Sequence, residues 1–199
     1  KGGSAQGSLT NNNRFSIEVG AINAKADLST LQVASAPFSN PGSSLLASAP
    51  GSHVLSSSHS LEAERGARIG NAYSATQGTS FAAPIVSGVV ALMLQANPNL
   101  GYRDVQQILA LSARKVDDPQ TAWRFNGSRN WNGGGQHASD DYGFGLVDAR
   151  AAVRLAESWI GQATAANEQV LAVSSEVLGQ TIAAGEVVRF SLPMAAGVQ

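Results

Sequence analysis

The sequence contains no cysteine in 199 residues. A disulfide scaffold, a thiol nucleophile and a thiolate zinc site are therefore excluded. Charge is sparse as well. Charged residues make up 14% of the chain, and 13 Lys and Arg nearly balance 14 Asp and Glu, for a formal net charge of −1. That balance lacks the electrostatic footprint of a nucleic-acid binder or of a polybasic membrane-surface protein. Histidine chemistry has few candidates, since only His53, His59 and His137 are present. Long hydrophobic runs are also missing. The longest, Ile85 to Leu94, is interrupted by Ser87 and Gly88 and falls short of the ~20 residues that cross a bilayer. No membrane-spanning segment is expected, and no signal-peptide pattern opens the chain.

What is present is an apolar fraction of 43% and 21 glycines among many Ala and Ser. This is too apolar for a disordered chain and has the texture of a tightly packed, loop-rich secreted enzyme. The length fits one domain plus part of a second. The chain opens on Lys1-Gly2-Gly3 and closes on Gly197-Val198-Gln199 directly after a strand-like run, so a fragment of a longer polypeptide is expected.

Residues 1–13 are loop-forming. Phe15, Ile17 and Val19 alternate ahead of Ala21-Ile22, which predicts a strand entering a core. Short strands are expected near Leu45-Leu46-Ala47 and Val54-Leu55, with residues 56–77 a polar surface excursion. Residues 79–96 are apolar nearly all round and predict a helix buried on every side. Residues 102–113 form a second, amphipathic helix opened by Gly101 and Asp104. A long loop over 116–141 follows. Asp148 then caps a third helix over 149–159, with Ala152, Val153 and Ala156 on one face. Residues 161–167 read as a linker, and the alternation of Val188, Phe190 and Leu192 beyond it as a β-rich segment too short to close.

The sharpest chemical feature is Gly78-Thr79-Ser80-Phe81-Ala82-Ala83-Pro84 at the start of the apolar helix. A serine at a helix N-terminus has an unpaired backbone N–H that can donate to a developing oxyanion, in a field that favours negative charge. On residue chemistry alone, Thr79 or Ser80 as a simple helix cap is the commoner role.

The chain resembles the subtilisin-like serine proteases. Gly78-Thr79-Ser80-Phe81-Ala82-Ala83-Pro84-Ile85-Val86-Ser87-Gly88 is similar to their nucleophile motif, and Ala49-Pro50-Gly51 with Phe38-Ser39-Asn40 to the segment preceding it. Three stretches resemble the kexin and furin branch: Thr10-Asn11-Asn12-Asn13-Arg14-Phe15-Ser16-Ile17 with Val19-Gly20-Ala21-Ile22; Asn97-Pro98-Asn99-Leu100 with Arg103-Asp104-Val105; and Tyr142-Gly143-Phe144-Gly145-Leu146-Val147-Asp148-Ala149.

The resemblance implies an α/β fold: the C-terminal half of a subtilisin-like, mainly parallel sheet flanked by helices, over residues 1–160. Residues 161–199 would be the linker and truncated start of a β-rich P-type domain. It implies a serine endopeptidase with Ser80 as nucleophile and the backbone of Gly78, Thr79 and Ser80 at the oxyanion and substrate site. The triad Asp and His, and the oxyanion Asn, fall upstream in the subtilase chain order. His53, His59 and His137 are thus ordinary exposed histidines, and Asn11 to Asn13 turn residues. No cofactor or metal is expected in this segment, although the resemblance leaves room for calcium in the full-length protein. The resemblance implies polypeptide substrates as partners, leaves room for a propeptide, and implies a secreted or cell-envelope setting. A non-catalytic subtilase-like or P-domain module in adhesion or secretion is the alternative. Ser8 and Asn40 stand where the basic-specific branch has carboxylates, which predicts no strong preference for Arg or Lys before the cleaved bond. The Asp117-Asp118 and Asp140-Asp141 pairs, the Asn126-Gly127-Ser128 sequon and Asn132-Gly133-Gly134-Gly135 are expected to be loop features.

Overall fold

The computed structural model describes residues 4–7, 13–23, 36, 38–57, 73–125 and 136–161. The chain divides into two compact units, Lys1–Gln162 and Ala163–Gln199. The predicted β-rich segment of the second unit lies outside the described residues, as do Ser8, His59, the sequon and the Gly133–Gly135 run.

The first unit carries a 3-10 turn (Ala5–Gly7), strands β1 (Glu18–Ile22), β2 (Leu45–Pro50), β3 (Val54–Ser57) and β4 (Tyr73–Thr76), then helices α1 (Thr79–Ala96) and α2 (Tyr102–Ser112). Two-residue strands β5 (Arg124–Phe125) and β6 (His137–Ala138) precede helix α3 (Ala149–Glu157). β1 and β2 pair in parallel. Beyond β2 the sheet continues through single bridges, Ser48 to Leu146 in parallel and Leu146 to Arg114 in antiparallel. Among the described residues the expected parallel sheet is one strand pair with a bridged margin, flanked by helices.

The core explains the layering. Ala21 of β1, Ala49 of β2 and Ala82, Val86, Val89 and Met93 of α1 are buried in one cluster with Val105, Ile108 and Leu109 of α2 and Ala152 and Ala156 of α3. Alanine at the strand–helix contact removes side-chain bulk and lets the helix ride close to the strands. A second cluster joins Ile22, Val116, Tyr142 and Leu146.

α1 departs from its expected burial on every side. Its buried residues are Ala82, Val86, Val89 and Met93, which follow helical spacing along one face. Leu92 and Leu94 on the remainder are exposed. By length and composition alone, α1 is also the one helix among the described residues that meets the minimum for crossing a membrane. Here its apolar face lies on β1, β2 and α3.

The polar excursion over 56–77 contains a strand that the sequence pattern does not announce. β4 pairs antiparallel with β3, Val54 opposite Thr76 and Ser57 opposite Tyr73. Its residues are short and mixed, so pairing rather than patterning makes it a strand. The long loop over 116–141 likewise closes through β5 and β6. Its carboxylates have protein partners. Asp118 accepts from the Tyr142 hydroxyl, Asp141 from Thr121, and Asp140 pairs with Arg124 at 2.7 Å. His137 is half-buried, not exposed, with its ring edge-on to Trp123 at 5.1 Å.

Asp104 ties the helices together. It is 1% exposed. One carboxylate oxygen accepts from the Gly101 N–H at 2.8 Å and the other from Trp159 Nε1 at 3.1 Å. Asn97, at the end of α1, donates to the carbonyls of Ala156 and Trp159. Asp104→Ala is expected to remove a helix cap and strand a buried indole N–H, lowering stability by about 2–4 kcal/mol. Urea unfolding of the full-length protein measures this, with Asp104→Asn expected to fall between the two.

Candidate active site

The start of α1 is set by its glycine. Gly78 is the N-cap with φ 149° and ψ 156°, a region that residues with a Cβ scarcely occupy. Its N–H donates to the Gly51 carbonyl at 2.7 Å, and its own carbonyl accepts from the Phe81 N–H at 3.0 Å. The partner is glycine for a different reason, since a Cβ on Gly51 would stand 2.6 Å from Ala21 Cβ and 2.9 Å from the Gly78 oxygen. The loop after β2 and the turn before α1 therefore meet backbone to backbone.

This geometry separates Thr79 and Ser80 from a capping role. The cap position belongs to Gly78, which has no side chain to cap with. Thr79 and Ser80 are the first two helical residues, where N–H groups lack intrahelical acceptors. Ser80 is exposed, and no acidic residue occupies the first turn. Pro84 is the sixth residue of the helix, so the Ser80 carbonyl four residues back receives no N–H from that position.

Thr79, Ser80 and Ala83 form one wall of a cleft of about 630 Å³. The opposite walls come from Ser16 to Val19 ahead of and within β1, from Phe38 to Asn40, and from Leu45 at the start of β2. Ser39 is buried and accepts from the Ala21 N–H at 3.0 Å, which pins this segment to β1. Asn40 is exposed in the cleft. Asn13 holds a local turn, accepting from the Phe15 N–H and donating to Ser16 Oγ.

No His and no Asp lines the cleft among the described residues. His53 is exposed, with φ 55° and Nδ1 3.1 Å from Ser52 Oγ. Among the described residues no three His, Asp or Glu side chains converge as a metal-binding group. The arrangement offers an exposed serine in the first turn of a helix, on the wall of an open cleft. A residue that sequence reasoning passed over also lies there: Glu18, the one charged side chain lining the cleft among the described residues.

A profile of the subtilase family matches residues 3–145. Among similar proteins, "Proprotein convertase subtilisin/kexin type 6" of Homo sapiens is 44% identical over 82 residues, 41% of this chain and 8% of that protein. "Protease KEX1" of Kluyveromyces lactis is 35% identical over 113 residues, 53% of this chain and 14% of that protein. The chain thus spans a small part of these relatives. Among solved structures, the Aeromonas sobria serine protease aligns with TM-score 0.53 at 26% identity, over 78% of this chain and 30% of that one. Fervidolysin from Fervidobacterium pennivorans, a keratinolytic enzyme related to subtilisin, aligns at 0.51 and 27%, over 70% and 19%.

Gly78→Ala is expected to cost about 1–3 kcal/mol through backbone strain alone and to displace the first turn of α1. Thermal unfolding measures the first effect. Loss of reactivity at Ser80, out of proportion to the fraction unfolded, measures the second.

Proposed function

The chain belongs to the subtilase family, and on that premise we propose that the full-length protein is a serine endopeptidase acylated on Ser80. The observation that carries this is the exposed Ser80 in the first turn of α1, on the wall of an open cleft. The Ser80 hydroxyl attacks the scissile carbonyl carbon and passes its proton to a histidine. The oxyanion is met by N–H groups at the start of α1. Breakdown expels the amine, which takes up that proton, and water then releases the acyl group. The histidine and its orienting aspartate come from sequence upstream of these residues, as the Asp, His, Ser chain order places them.

The same reading assigns no cofactor to residues 1–160 and gives polypeptides as substrates. It takes residues 161–199 as linker and start of a β-rich P-type domain, in a secreted or cell-envelope protein. The intact Gly78-Thr79-Ser80 and its solvent-facing hydroxyl favour the enzyme over a non-catalytic adhesion module.

Labelling of the full-length protein with a fluorophosphonate is the direct test. Ser80→Ala is expected to abolish labelling and to lower kcat/KM on peptides by on the order of 10,000-fold or more. Labelling that survives this substitution rejects the nucleophile. The 199-residue chain alone is expected not to hydrolyse casein. Hydrolysis by it that Ser80→Ala removes would place the whole triad within these residues.

A further inference from the structure

We propose that Arg14, Phe15, Tyr102 and Arg103 form a docking surface for an acidic stretch of the polypeptide whose cleavage is assigned to Ser80. The proposal rests on that catalytic reading, because it makes the occupant a part of the substrate lying outside the cleft. The Phe15 and Tyr102 rings meet at 5.6 Å between centroids. They are 64% and 42% exposed, so together they form one patch of aromatic surface in water. The Arg14 guanidinium lies over the Phe15 ring at 4.8 Å, and that of Arg103 over the Tyr102 ring at 5.4 Å. A guanidinium over an aromatic face gains from the ring and still presents N–H donors to a carboxylate. Arg14 is exposed and has no carboxylate partner among the described residues. Asp104, the acidic residue of α2, is 1% exposed and accepts from the Gly101 N–H and the Trp159 indole. The patch thus presents positive charge and aromatic surface together, a combination enriched at protein interfaces.

The patch is held in place beside the cleft. Gln106 donates to the carbonyls of Arg14 at 3.1 Å and Ser16 at 3.4 Å, and Asn13 Oδ1 accepts from the Phe15 N–H at 2.9 Å. The stretch 13–16 is thereby fastened to α2, and little further ordering is needed when a partner binds. Ser16, the residue after Phe15, lines the cleft with Ile17, Glu18 and Val19. An extended polypeptide advances at most about 3.6 Å per residue, so one leaving the cleft past Ser16 reaches Arg14 within a few residues. A nucleic acid requires many phosphate contacts along a basic face, and a chain of net charge −1 does not supply them. A few carboxylates beside an apolar side chain require only the guanidinium groups and rings of this patch.

The test uses the full-length protein and pairs of peptides that differ only in a run of Glu or of Gln. The run precedes the cleaved bond in one pair and follows it in the other. In at least one pair the wild type is expected to show a KM about 3- to 10-fold lower for the Glu peptide, with kcat little changed, because the contact is remote from the reacting bond. The difference is expected to disappear at ~1 M salt. Arg14→Gln is expected to remove most of the preference and Arg14→Lys to retain part of it. Arg103→Gln is the second neutral variant, and thermal unfolding establishes that each variant is folded. A structural defect alone alters both peptides of a pair alike and leaves their ratio in place. Equal KM values within both pairs for the wild type, or a preference that persists in both neutral variants, overturns the proposal. Direct binding of the Glu and Gln runs without a cleavable bond is measured in parallel, and tighter binding of a single-stranded oligonucleotide than of the Glu run overturns the assignment to an acidic polypeptide. If the fluorophosphonate does not label Ser80, the catalytic reading fails, and the direct binding still reports on Arg14.

Discussion

The hydrogen bond from the Gly78 N–H to the Gly51 carbonyl is the contact on which the rest of this unit depends. It joins the end of β2 to the start of α1, two backbones approaching closer than any side chain permits. One partner is glycine because of its φ and the other because of its surroundings. With that contact made, Ala82 reaches the cluster holding Ala21 and Ala49, and α1 runs over the parallel pair. The position of Ser80 follows from the same contact, since a helix that begins at Thr79 turns its second residue outward into the cleft.

The cleft is assembled from four separated stretches of chain: residues 4–5, 16–19, 38–45 and 79–83. The stretches are fastened to one another and to the elements behind them. Ala5 donates its N–H to the Pro41 carbonyl, and Ser39 is fastened to Ala21. Gln106 of α2 donates to the carbonyls of Arg14 and Ser16. A site whose walls are fixed from behind can present a hydroxyl with little rearrangement, which is what preorganised chemistry requires. Glu18 stands apart, since its Oε2 is buried without a hydrogen-bond partner among the described residues.

The helices were legible because their signals are local. Asp148 caps α3 through the Ala151 N–H, and Asp104 closes the first turn of α2 through the Gly101 N–H. Apolar spacing at Val105, Ile108 and Leu109 marks the face of α2 that is buried. The start and end of α1 were legible for the same reason, and its extent is as expected. How much of it would be covered was not legible. Continuous apolarity records what a helix can bury, whereas its burial depends on how many layers lie against it. β4, β5 and β6 escaped notice because short polar strands owe their form to a partner distant in sequence. His137 was misjudged likewise, since its cover comes from Trp123 and Phe125 across that pairing.

By itself, then, the sequence determined the helices, their caps and the glycine–serine turn that opens α1. All of these are properties of neighbouring residues, set by periodicity, by capping side chains and by the φ that only Gly78 tolerates. Only the tertiary structure decided what faces Ser80. The alternation ahead of β1 marks a strand but leaves Glu18 without a stated surroundings or role. It stands where the register of β1 and β2 shifts, with Leu46 unmatched between Leu45 and Ala47. A strand's facing pattern has a period of two, so one unmatched residue on the partner changes which side chain meets the cleft. That register is a property of the pair, and neither strand carries it alone.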